Sequence, residues 1–374
     1  MRDGWLRPTG LFDGKTIKQG LALRIEGGHV AELGQGPADA LPLAGVVTPG
    51  FVDLQVNGGG GVLLNDNPTP DRLAAIAAAH RRYGTVAILP TLITDAPEAL
   101  DATAAVFLQH ALPDGIIGLH IEGPHISLAR RGTHDPRYIR PLDARTMDVI
   151  RALRAKGIAV MITVAPEAVA AGQIAELRAL GAVVSLGHSD TTSGHVQEAL
   201  GEGANCFTHL FNAMSPLLHR QPGMVGAALN SHVHTGIICD GIHVADELVG
   251  LAIRARPAPD LTFLVSDAMP TVGGPDHFRL YEMDLHVENG RLVNTEGSLA
   301  GAHVTMAQSL ARLIGIVGVA PDAALRMAVT IPATLMGRAD LADVRGRATR
   351  DLLVLDDQWQ ARETLAGEPV DQLA

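Results

Sequence analysis

The chain of 374 residues is 47% hydrophobic, which is enough for one large core and a smaller satellite domain. Its formal net charge of -11 argues against nucleic acid and anionic membranes as partners, because both bind preferentially to basic protein surfaces. Its aromatic content of 3% also leaves few side chains on which unpaired nucleic-acid bases could stack. No apolar segment is long enough to cross a bilayer, and two cysteines, Cys206 and Cys239, cannot build a disulfide framework. We therefore expect a cytoplasmic protein with reduced, buried thiols.

Both ends of the chain carry strand patterns. Residues 21–33 contain two alternating runs on either side of Gly27-Gly28, which is the pattern of a β-hairpin. Near the other end, residues 351–356 form a further strand-like run. Neither end has enough apolar surface to fold alone, so we predict that residues 1–47 and 339–374 together form one small β-sandwich beside a larger domain, 48–338.

Eight short runs rich in Val, Ile and Leu fill the middle of the chain. They cover residues 46–54, 86–94, 116–122, 160–166, 183–188, 206–212, 234–240 and 261–267. Most are separated by helix-like segments, such as 71–83, 97–110, 143–156 and 168–180. Eight strands that alternate with helices over about 250 residues are typical of a closed barrel. The predicted fold class is therefore α/β, a (β/α)8 TIM-like barrel with a small β-sandwich domain.

Polar side chains gather at the C-terminal ends of these runs, where barrel enzymes build their active sites. They are Asp53, Gln55, Thr91, Glu122, Glu167, His188, His209, Asp240 and Asp267. A single histidine in such a place is more often a hydrogen-bonded core residue than a ligand. One Glu and two His at three matching strand ends, however, are the ligand types of a catalytic zinc site with an open position; these are Glu122, His188 and His209.

The first strand carries Gln55 where a two-metal hydrolase of this architecture would offer a His-x-His pair. A Gln amide is a poor zinc ligand, so we predict one tightly held ion and a vacant second-metal position at Gln55. Asp267 ends the last run, where a carboxylate could take a proton from the attacking water and pass it to a leaving amine. The alternative for Asp267 is a cap for the following loop.

A second group of residues suits an anionic, hydroxylated ligand. His134 follows the third run, Asn212 and Ala213 end the sixth, Arg220 lies in the next loop, and His243 follows the seventh. In so acidic a chain, an Arg and several His near a glycine-rich mouth suggest capture of a phosphate or carboxylate. For Arg220 a solvated loop charge is an equal alternative. His80 and His110, on predicted helices, are expected to be solvated.

Several motifs together resemble the N-acetylglucosamine-6-phosphate deacetylases of the amidohydrolase superfamily. The motifs are residues 49–58, 120–125 with 132–134, 187–189, 208–215, 240–243 and 266–269. The resemblance runs from about Val46 to Met336 and includes the flanking sandwich segments. It implies hydrolysis of the acetamide of N-acetyl-D-glucosamine 6-phosphate by a metal-activated water, which releases acetate and D-glucosamine 6-phosphate.

The resemblance also implies roles by position. Glu122, His188 and His209 would hold one divalent ion, with zinc as the first choice and iron, cobalt or manganese as alternatives, and Asp267 would be the acid/base. His134 would polarise the carbonyl, and the sugar and phosphate would contact Asn212, Ala213 through its backbone, Arg220 and His243. Arg220 is expected to come from a neighbouring subunit, which implies a homodimer. Gln55 matches the one-metal branch of the family.

Some questions stay open at this stage. The sequence assigns no role to His125 or His303 and does not decide between the glucosamine, galactosamine and mannosamine epimers. Two alternatives share the barrel: an amidohydrolase of another kind, such as a cyclic-amide hydrolase or deaminase, and an inactive sugar-phosphate-binding protein. An amidohydrolase of another kind would not explain the presence of Arg220 and His243. An inactive binding protein would not explain why the three ligands and Asp267 are all retained.

Overall fold

The computed structural model describes residues 3–294, 297 and 299–373. Its strands are β1 (Gly4–Phe12), β2 (Ile17–Lys18), β3 (Ala22–Glu26), β4 (His29–Gly34), β5 (Leu41–Pro49), β6 (Phe51–Val56), β7 (Gly58–Gly59), β8 (Val62–Leu63), β9 (Thr85–Ile93), β10 (Gly118–Glu122), β11 (Ala159–Val164), β12 (Val183–Leu186), β13 (Cys206–Phe207), β14 (His234–Ile237), β15 (Thr262–Leu264), β16 (His277–Leu280), β17 (Met283–Glu288), β18 (Arg291–Asn294), β19 (Leu352–Leu355) and β20 (Ala361–Thr364).

The helices lie mainly between the strands of the central sheet. They are α1 (Pro70–Arg81), α2 (Pro97–Gln109), α3 (Ala144–Ala155), α4 (Gln173–Ala179), α5 (Ser193–Gly201), α6 (Gly223–Leu229), α7 (Asp246–Ala255), α8 (Met306–Gly315), α9 (Pro321–Leu325) and α10 (Ile331–Leu335). A π-helical turn, Arg326–Thr330, joins α9 to α10. No helix in the described ranges is both long and apolar enough to span a bilayer.

Eight parallel strands form the central sheet, in the order β6, β9, β10, β11, β12, β13, β14, β15. A parallel bridge between Val56 and Ala268 joins the first strand to the segment after the last, and the Asp267 N–H donates to the Gln55 carbonyl at 3.0 Å. The sheet is thereby closed into a barrel, whose strands are buried on both faces as the apolar runs require. The predicted fold class is confirmed.

The predicted alternation of strands and helices is confirmed, but the start of one helix and the exposure of His80 differ from the prediction. Helix α4 begins at Gln173, later than predicted, because a 3-10 turn and the left-handed Gly172 (φ 83°) precede it. His80 on α1 is buried rather than solvated, and its Nε2 donates to the Gly58 carbonyl at 2.9 Å. Burial lowers the pKa of His80 to about 4, so its ring is neutral. The solvated prediction failed because a loop covers this face of α1.

The two chain ends meet in a seven-stranded sheet, as expected. Its order is β20, β19, β5, β1, β3, β4, with β2 paired to β1, and it has a core of its own. The predicted hairpin is confirmed: β3 and β4 are antiparallel across Gly27 and Gly28, which both have positive φ. The two cysteines are free and buried, also as predicted.

The predicted run 46–54 is in fact two strands that belong to different sheets. Strand β5 ends at Pro49 and pairs with β19, whereas β6 begins at Phe51 and pairs with β9. A Cβ on Gly50, between them, would lie 2.2 Å from Val86 Cγ1. Only glycine therefore allows the backbone to pass from one sheet to the other at this point.

A three-stranded antiparallel sheet, β16 to β18, was not predicted at all. It is inserted between the end of the last barrel strand and α8, and it packs its own apolar side chains against Leu63, Ile93 and Met269. The Tyr281 hydroxyl, at the turn between β16 and β17, donates to the Thr94 carbonyl. The insertion thus contacts the loop after β9 at the barrel mouth.

Candidate active site

Three side-chain atoms form a small triangle at the C-terminal mouth of the barrel. Glu122 Oε1 lies 3.2 Å from His188 Nε2 and 3.1 Å from His209 Nε2, and the two nitrogens are 3.1 Å apart. All three residues are at least 96% buried. A tetrahedral zinc ion with bonds of about 2.0 to 2.1 Å separates its ligand atoms by about 3.3 Å. The triangle therefore fits such an ion with little movement.

The backbone holds these side chains in unusual conformations. His188, His209 and Asp267 all have positive φ, at 48°, 24° and 54°. Each lies two or three residues after the end of its strand, so the turn directs the side chain into the mouth rather than along the strand. Non-glycine residues in this region are uncommon and collect at functional sites, where the surrounding fold compensates for the strain.

The second ring nitrogen of each histidine decides which nitrogen is free for a metal. His188 Nδ1 lies 2.9 Å from the Arg130 carbonyl, which only accepts, so Nδ1 carries the proton and Nε2 has a lone pair. His209 Nδ1 is buried and has no hydrogen-bond partner among the described residues. Glu122 completes the donor set: burial alone would raise its pKa, but the imidazole rings of His188 and His209 beside it hold the pKa of Glu122 well below its usual range.

Gln55 lies beside this triangle at the predicted second-metal position. Its Nε2 donates to Glu122 Oε1 at 2.9 Å and to Asp267 Oδ1 at 3.1 Å. The Gln55 amide NH2 thus bridges two carboxylates, Glu122 and Asp267. Asn57 Nδ2 donates to the same Asp267 oxygen at 2.8 Å.

Asp267 is partly buried at the mouth, and its proton affinity is raised. Burial and the nearby Glu122 carboxylate raise the pKa of Asp267 to about 6, against the effect of the Asn57 hydrogen bond. A carboxyl group with such a pKa can both take up and release a proton near neutral pH, which is the property of a general acid/base.

His134 is held in one orientation by Thr94. Its Nδ1 lies 2.7 Å from Thr94 Oγ1 and accepts from the Thr94 backbone N–H at 3.4 Å. Burial and the neighbouring His188 lower the pKa of His134 to about 3, so the ring is neutral and its proton is on Nε2. A Cβ on Gly123 would lie 2.2 Å from Thr94 Oγ1, so glycine is required beside this pair.

A cavity of about 180 Å³ opens above the triangle. Most of the predicted site residues line it, namely Glu122, His134, His188, His209, Asn212, Ala213, His243 and Asp267. His243 Nδ1 lies 2.6 Å from Asp240 Oδ2, which directs Nε2 away from Asp240. Met269, Leu299 and Gly301 line the cavity from the segments that flank the three-stranded insertion.

Arg220 is the predicted site residue that its own chain does not bring to the cavity. It lies on the exposed segment 216–222 and lines a different depression, together with Thr192 and Ser193. Within one chain, Arg220 therefore lies apart from the other predicted site residues that line the cavity.

Four other polar residues have structural positions outside the cavity wall. Both ring nitrogens of His125 are engaged, by the Arg140 carbonyl at 3.1 Å and Thr146 Oγ1 at 2.9 Å. His303 Nδ1 lies 2.9 Å from Thr271 Oγ1. Glu167 accepts from the Ser189 hydroxyl at 2.6 Å, and Asp53 accepts from the Ser266 hydroxyl. The open question about His125 is thus answered in favour of a buried structural link.

Two side chains of the site escaped the sequence analysis, Asn57 and Thr94. Asn57 lies two residues after Gln55, so strand periodicity places both on the same face and could have found it. Thr94 directly follows β9, and nothing in its sequence context distinguishes it from an ordinary loop threonine.

Comparisons with known proteins decide the family. Residues 46–356 match the model of the amidohydrolase family. The chain belongs to that family. This amidohydrolase is 40% identical over 331 residues to an N-acetylgalactosamine-6-phosphate deacetylase of Shewanella sp. (strain ANA-3), with 87% of this chain and 83% of the relative covered. It is 31% identical over 326 residues to an N-acetylglucosamine-6-phosphate deacetylase of Haemophilus influenzae, with 85% and 84% covered.

The solved structures agree with these relatives. An N-acetyl-D-glucosamine-6-phosphate deacetylase of Mycobacterium smegmatis, a variant in complex with N-acetyl-D-glucosamine-6-phosphate, has a TM-score of 0.88 with this amidohydrolase at 31% identity, and all of both chains is covered. The resemblance drawn from the sequence motifs is therefore confirmed, as is the assignment to hydrolases. The family is metal-dependent, and at the mouth Glu122, His134 and His188 offer ligand atoms that all lie within 4.8 Å of one another.

Proposed function

We propose that this amidohydrolase removes the acetyl group from N-acetyl-D-glucosamine 6-phosphate and releases acetate and D-glucosamine 6-phosphate, in amino-sugar catabolism and recycling. The observation that carries the proposal is the position of Asp267 beside the triangle of Glu122, His188 and His209, in a chain whose relatives are amino-sugar-phosphate deacetylases. A carboxyl group with a pKa of about 6 suits transfer of a proton from water to a leaving amine.

In this proposal Glu122, His188 and His209 hold one divalent ion per chain, zinc first and iron, cobalt or manganese as alternatives. When bound, the ion supplies Lewis acidity that makes water a nucleophile at neutral pH. Asp267 accepts a proton from the attacking water and delivers it to the sugar nitrogen as the amide bond breaks. Gln55 and Asn57 keep Asp267 in place by donating to the same oxygen, Oδ1.

His134 polarises the acetyl carbonyl. Its ring is neutral, its Nδ1 accepts from Thr94, and its Nε2–H is therefore the donor available to a carbonyl oxygen. A donor fixed in advance stabilises the negative charge that develops on this oxygen during attack.

The sugar and phosphate contact Asn212, the Ala213 backbone, His243 and Arg220. Because Arg220 lies outside the cavity of its own chain, we propose a homodimer in which Arg220 of one subunit contacts the phosphate in the other. We also propose a cytoplasmic location, no nucleic-acid or membrane partner, and a division into residues 1–47 with 339–374 and residues 48–338.

A second candidate substrate is the C4 epimer, N-acetyl-D-galactosamine 6-phosphate. The relative from Shewanella, at 40% identity, is named for that substrate, whereas the relative from Haemophilus influenzae, at 31%, is named for the glucosamine compound. Both reactions break the same bond with the same groups. Parallel determination of kcat/KM for the two epimers decides which is preferred.

The experiment that tests the proposal is an assay of acetate and free amine with N-acetyl-D-glucosamine 6-phosphate, beside a cyclic amide. Equimolar acetate and amine from the sugar phosphate support the deacetylase. Turnover of the cyclic amide alone would favour another kind of amidohydrolase, and sugar-phosphate binding without any acetate would favour an inactive binding protein.

A further inference from the structure

A tyrosine of the three-stranded insertion is joined, through a single residue, to the histidine that is proposed to polarise the substrate carbonyl. The Tyr281 hydroxyl donates to the Thr94 carbonyl. Thr94 contacts His134 with its two other polar groups, since its Oγ1 lies 2.7 Å, and its backbone nitrogen 3.4 Å, from His134 Nδ1. Each polar group of Thr94 thus contacts either Tyr281 or His134, and Thr94 links the insertion to the cavity wall.

The same hydroxyl also reaches the segment that carries His134. It accepts from the backbone N–H of Asp135, the residue directly after His134. Burial raises the pKa of Tyr281 well above its usual range, the carboxylate of Asp95 raises it further, and the hydrogen bond from Asp135 opposes both effects. The hydroxyl therefore keeps its proton and can donate to Thr94 while it accepts from Asp135. One hydroxyl group thus ties together the two segments that meet at His134.

The backbone at Tyr281 is unfavourable for a large side chain. Tyr281 and Glu282 form the two-residue turn between β16 and β17, and Tyr281 has φ 53°. Hairpin turns of this length usually place glycine, asparagine or aspartate at a positive φ, because other side chains are strained there. The Tyr281 ring packs against the apolar cluster that the insertion forms with Leu63, Ile93 and Met269. A strained tyrosine in place of a small turn residue points to a role of its side chain.

We propose that Tyr281 is a positioning residue for His134. By holding the Thr94 carbonyl and the Asp135 N–H, the Tyr281 hydroxyl keeps both donors of Thr94 at His134 Nδ1, so that the other ring nitrogen, Nε2, stays directed into the cavity. The three-stranded insertion thereby contributes to catalysis, although it is His134 and not Tyr281 that lines the cavity. The inference rests on the proposed deacetylase function, in which His134 polarises the acetyl carbonyl.

The first test is Tyr281→Phe, which keeps the packed ring and removes only the hydroxyl. We expect kcat for acetate release to fall about fivefold, which corresponds to about 1 kcal/mol, the net contribution of one hydrogen bond. The loss is smaller than that expected for Thr94→Val, because Tyr281 acts one residue further from His134. KM should change less than about twofold and metal content not at all, since the phosphate contacts and the metal ligands are unaltered. A natural kcat, or a loss expressed in KM alone, would overturn the inference.

A double-mutant cycle separates positioning of His134 from a general effect on the fold. His134→Ala removes the side chain through which Tyr281 is proposed to act. Adding Tyr281→Phe to His134→Ala should therefore lower kcat no further, because residues that act through one another do not have additive effects. A second fivefold loss in the His134→Ala background would show that Tyr281 acts by another route, and it would overturn the inference.

Glu282→Gln is the matched control in the same turn. Glu282 lies 3.6 Å from Arg137, so it joins the insertion to the same segment as Tyr281 does, but their side chains are 80% and 59% exposed. An exposed ion pair of this kind contributes little. Glu282→Gln should therefore leave kcat unchanged. Equal losses in Glu282→Gln and Tyr281→Phe would mean that any loosening of the insertion lowers kcat, which would also overturn the role of the hydroxyl.

The orientation of His134 can also be followed without any substrate. In crystal structures we expect one ordered His134 ring in the natural protein, with Nδ1 2.7 Å from Thr94 Oγ1, and a longer separation or a second ring orientation in Tyr281→Phe. A single, unchanged orientation in the variant would overturn the inference. Failure of the natural protein to release acetate would instead contradict the proposed function, so the two failures are distinguishable.

Discussion

The replacement Asp267→Asn separates proton transfer from substrate binding. In the structure Asp267 Oδ1 accepts from Asn57 at 2.8 Å and from Gln55 at 3.1 Å. An asparagine oxygen can accept both bonds, so the side chain keeps its place, while its NH2 group takes the position of the second carboxylate oxygen. That NH2 group cannot take up a proton. Position and polarity near the substrate are therefore retained, and the acid/base function alone is removed.

General acid–base catalysis contributes about 10² to 10⁴-fold, which corresponds to about 2.7 to 5.5 kcal/mol in the activation free energy. We expect kcat of Asp267→Asn to fall by that factor with N-acetyl-D-glucosamine 6-phosphate, and KM to change less than about threefold. The assay is acetate release at saturating substrate, with metal content measured in the same samples so that a loss of metal is not mistaken for a loss of base.

Asp53→Asn is the control for a buried carboxylate that does not reach the cavity. Asp53 is fully buried on β6 and accepts from the Ser266 hydroxyl and backbone N–H, and an asparagine oxygen can still accept the latter. Asp53→Asn should keep kcat within about tenfold of the natural value. A near-natural kcat in Asp267→Asn, or equal losses in both variants, would refute the assignment of the base to Asp267.

Four further predictions concern the ligands, the phosphate, the carbonyl and pH. His188→Ala and His209→Ala should each lose bound metal and activity together, because two remaining ligands do not close a stable site; full metal content with normal turnover would contradict the ligand assignment. Arg220→Ala should raise KM for the phosphorylated sugar at least about 30-fold, since loss of one partner of a desolvated charge pair costs about 2 to 5 kcal/mol, and should leave the turnover of unphosphorylated N-acetylglucosamine unchanged. Equal losses for both sugars would exclude a phosphate contact. Mixing Arg220→Ala with Asp267→Asn protein should restore activity if the arginine crosses between subunits, and no recovery would place it within its own subunit. Thr94→Val should lower kcat about tenfold with little change in KM, because it removes the hydroxyl that orients the carbonyl donor, and an unchanged kcat would show that the hydroxyl is dispensable. The deprotonated form of Asp267 is lost as the pH falls through its pKa of about 6, and a bound cation lowers that pKa further. We therefore expect kcat/KM to decline only at or below about pH 6, and a decline that begins above pH 7 would contradict Asp267 as the base.

The sequence predicted the barrel and the mouth because both depend on local patterns. Each apolar run ends in a polar residue, and the C-terminal ends of parallel strands meet at one face, so Glu122, His188, His209 and Asp267 could be grouped without coordinates. The structure brings these side chains together as that argument requires.

Other features depend on long-range packing and could not be predicted in the same way. His80 is buried because the loop at Gly58 lies against α1, which helix periodicity does not reveal. The run 46–54 is continuous in composition, and only the crowding of Gly50 against Val86 shows where one sheet ends and the next begins. Arg220 lies outside the cavity of its own chain, and its proposed contact across subunits came from the family resemblance alone.

The insertion β16 to β18 escaped prediction for a related reason. Its strands are short and partly exposed, and their apolar residues pack in a small separate cluster with Leu63, Ile93 and Met269. Without the strong apolar runs of the barrel, the segment looks like a polar loop. Its contact with Thr94 through Tyr281 is visible only once the fold is known.

The most direct test of the proposed metal-dependent deacetylation is the stoichiometry of acetate release against bound metal. Metal-free protein is reconstituted with increasing Zn²⁺, and acetate and free amine are measured with N-acetyl-D-glucosamine 6-phosphate at each step. We expect equimolar acetate and D-glucosamine 6-phosphate, at a rate that rises in proportion to metal up to one ion per chain. Full activity in the metal-free protein, or no acetate at one ion per chain, would contradict it.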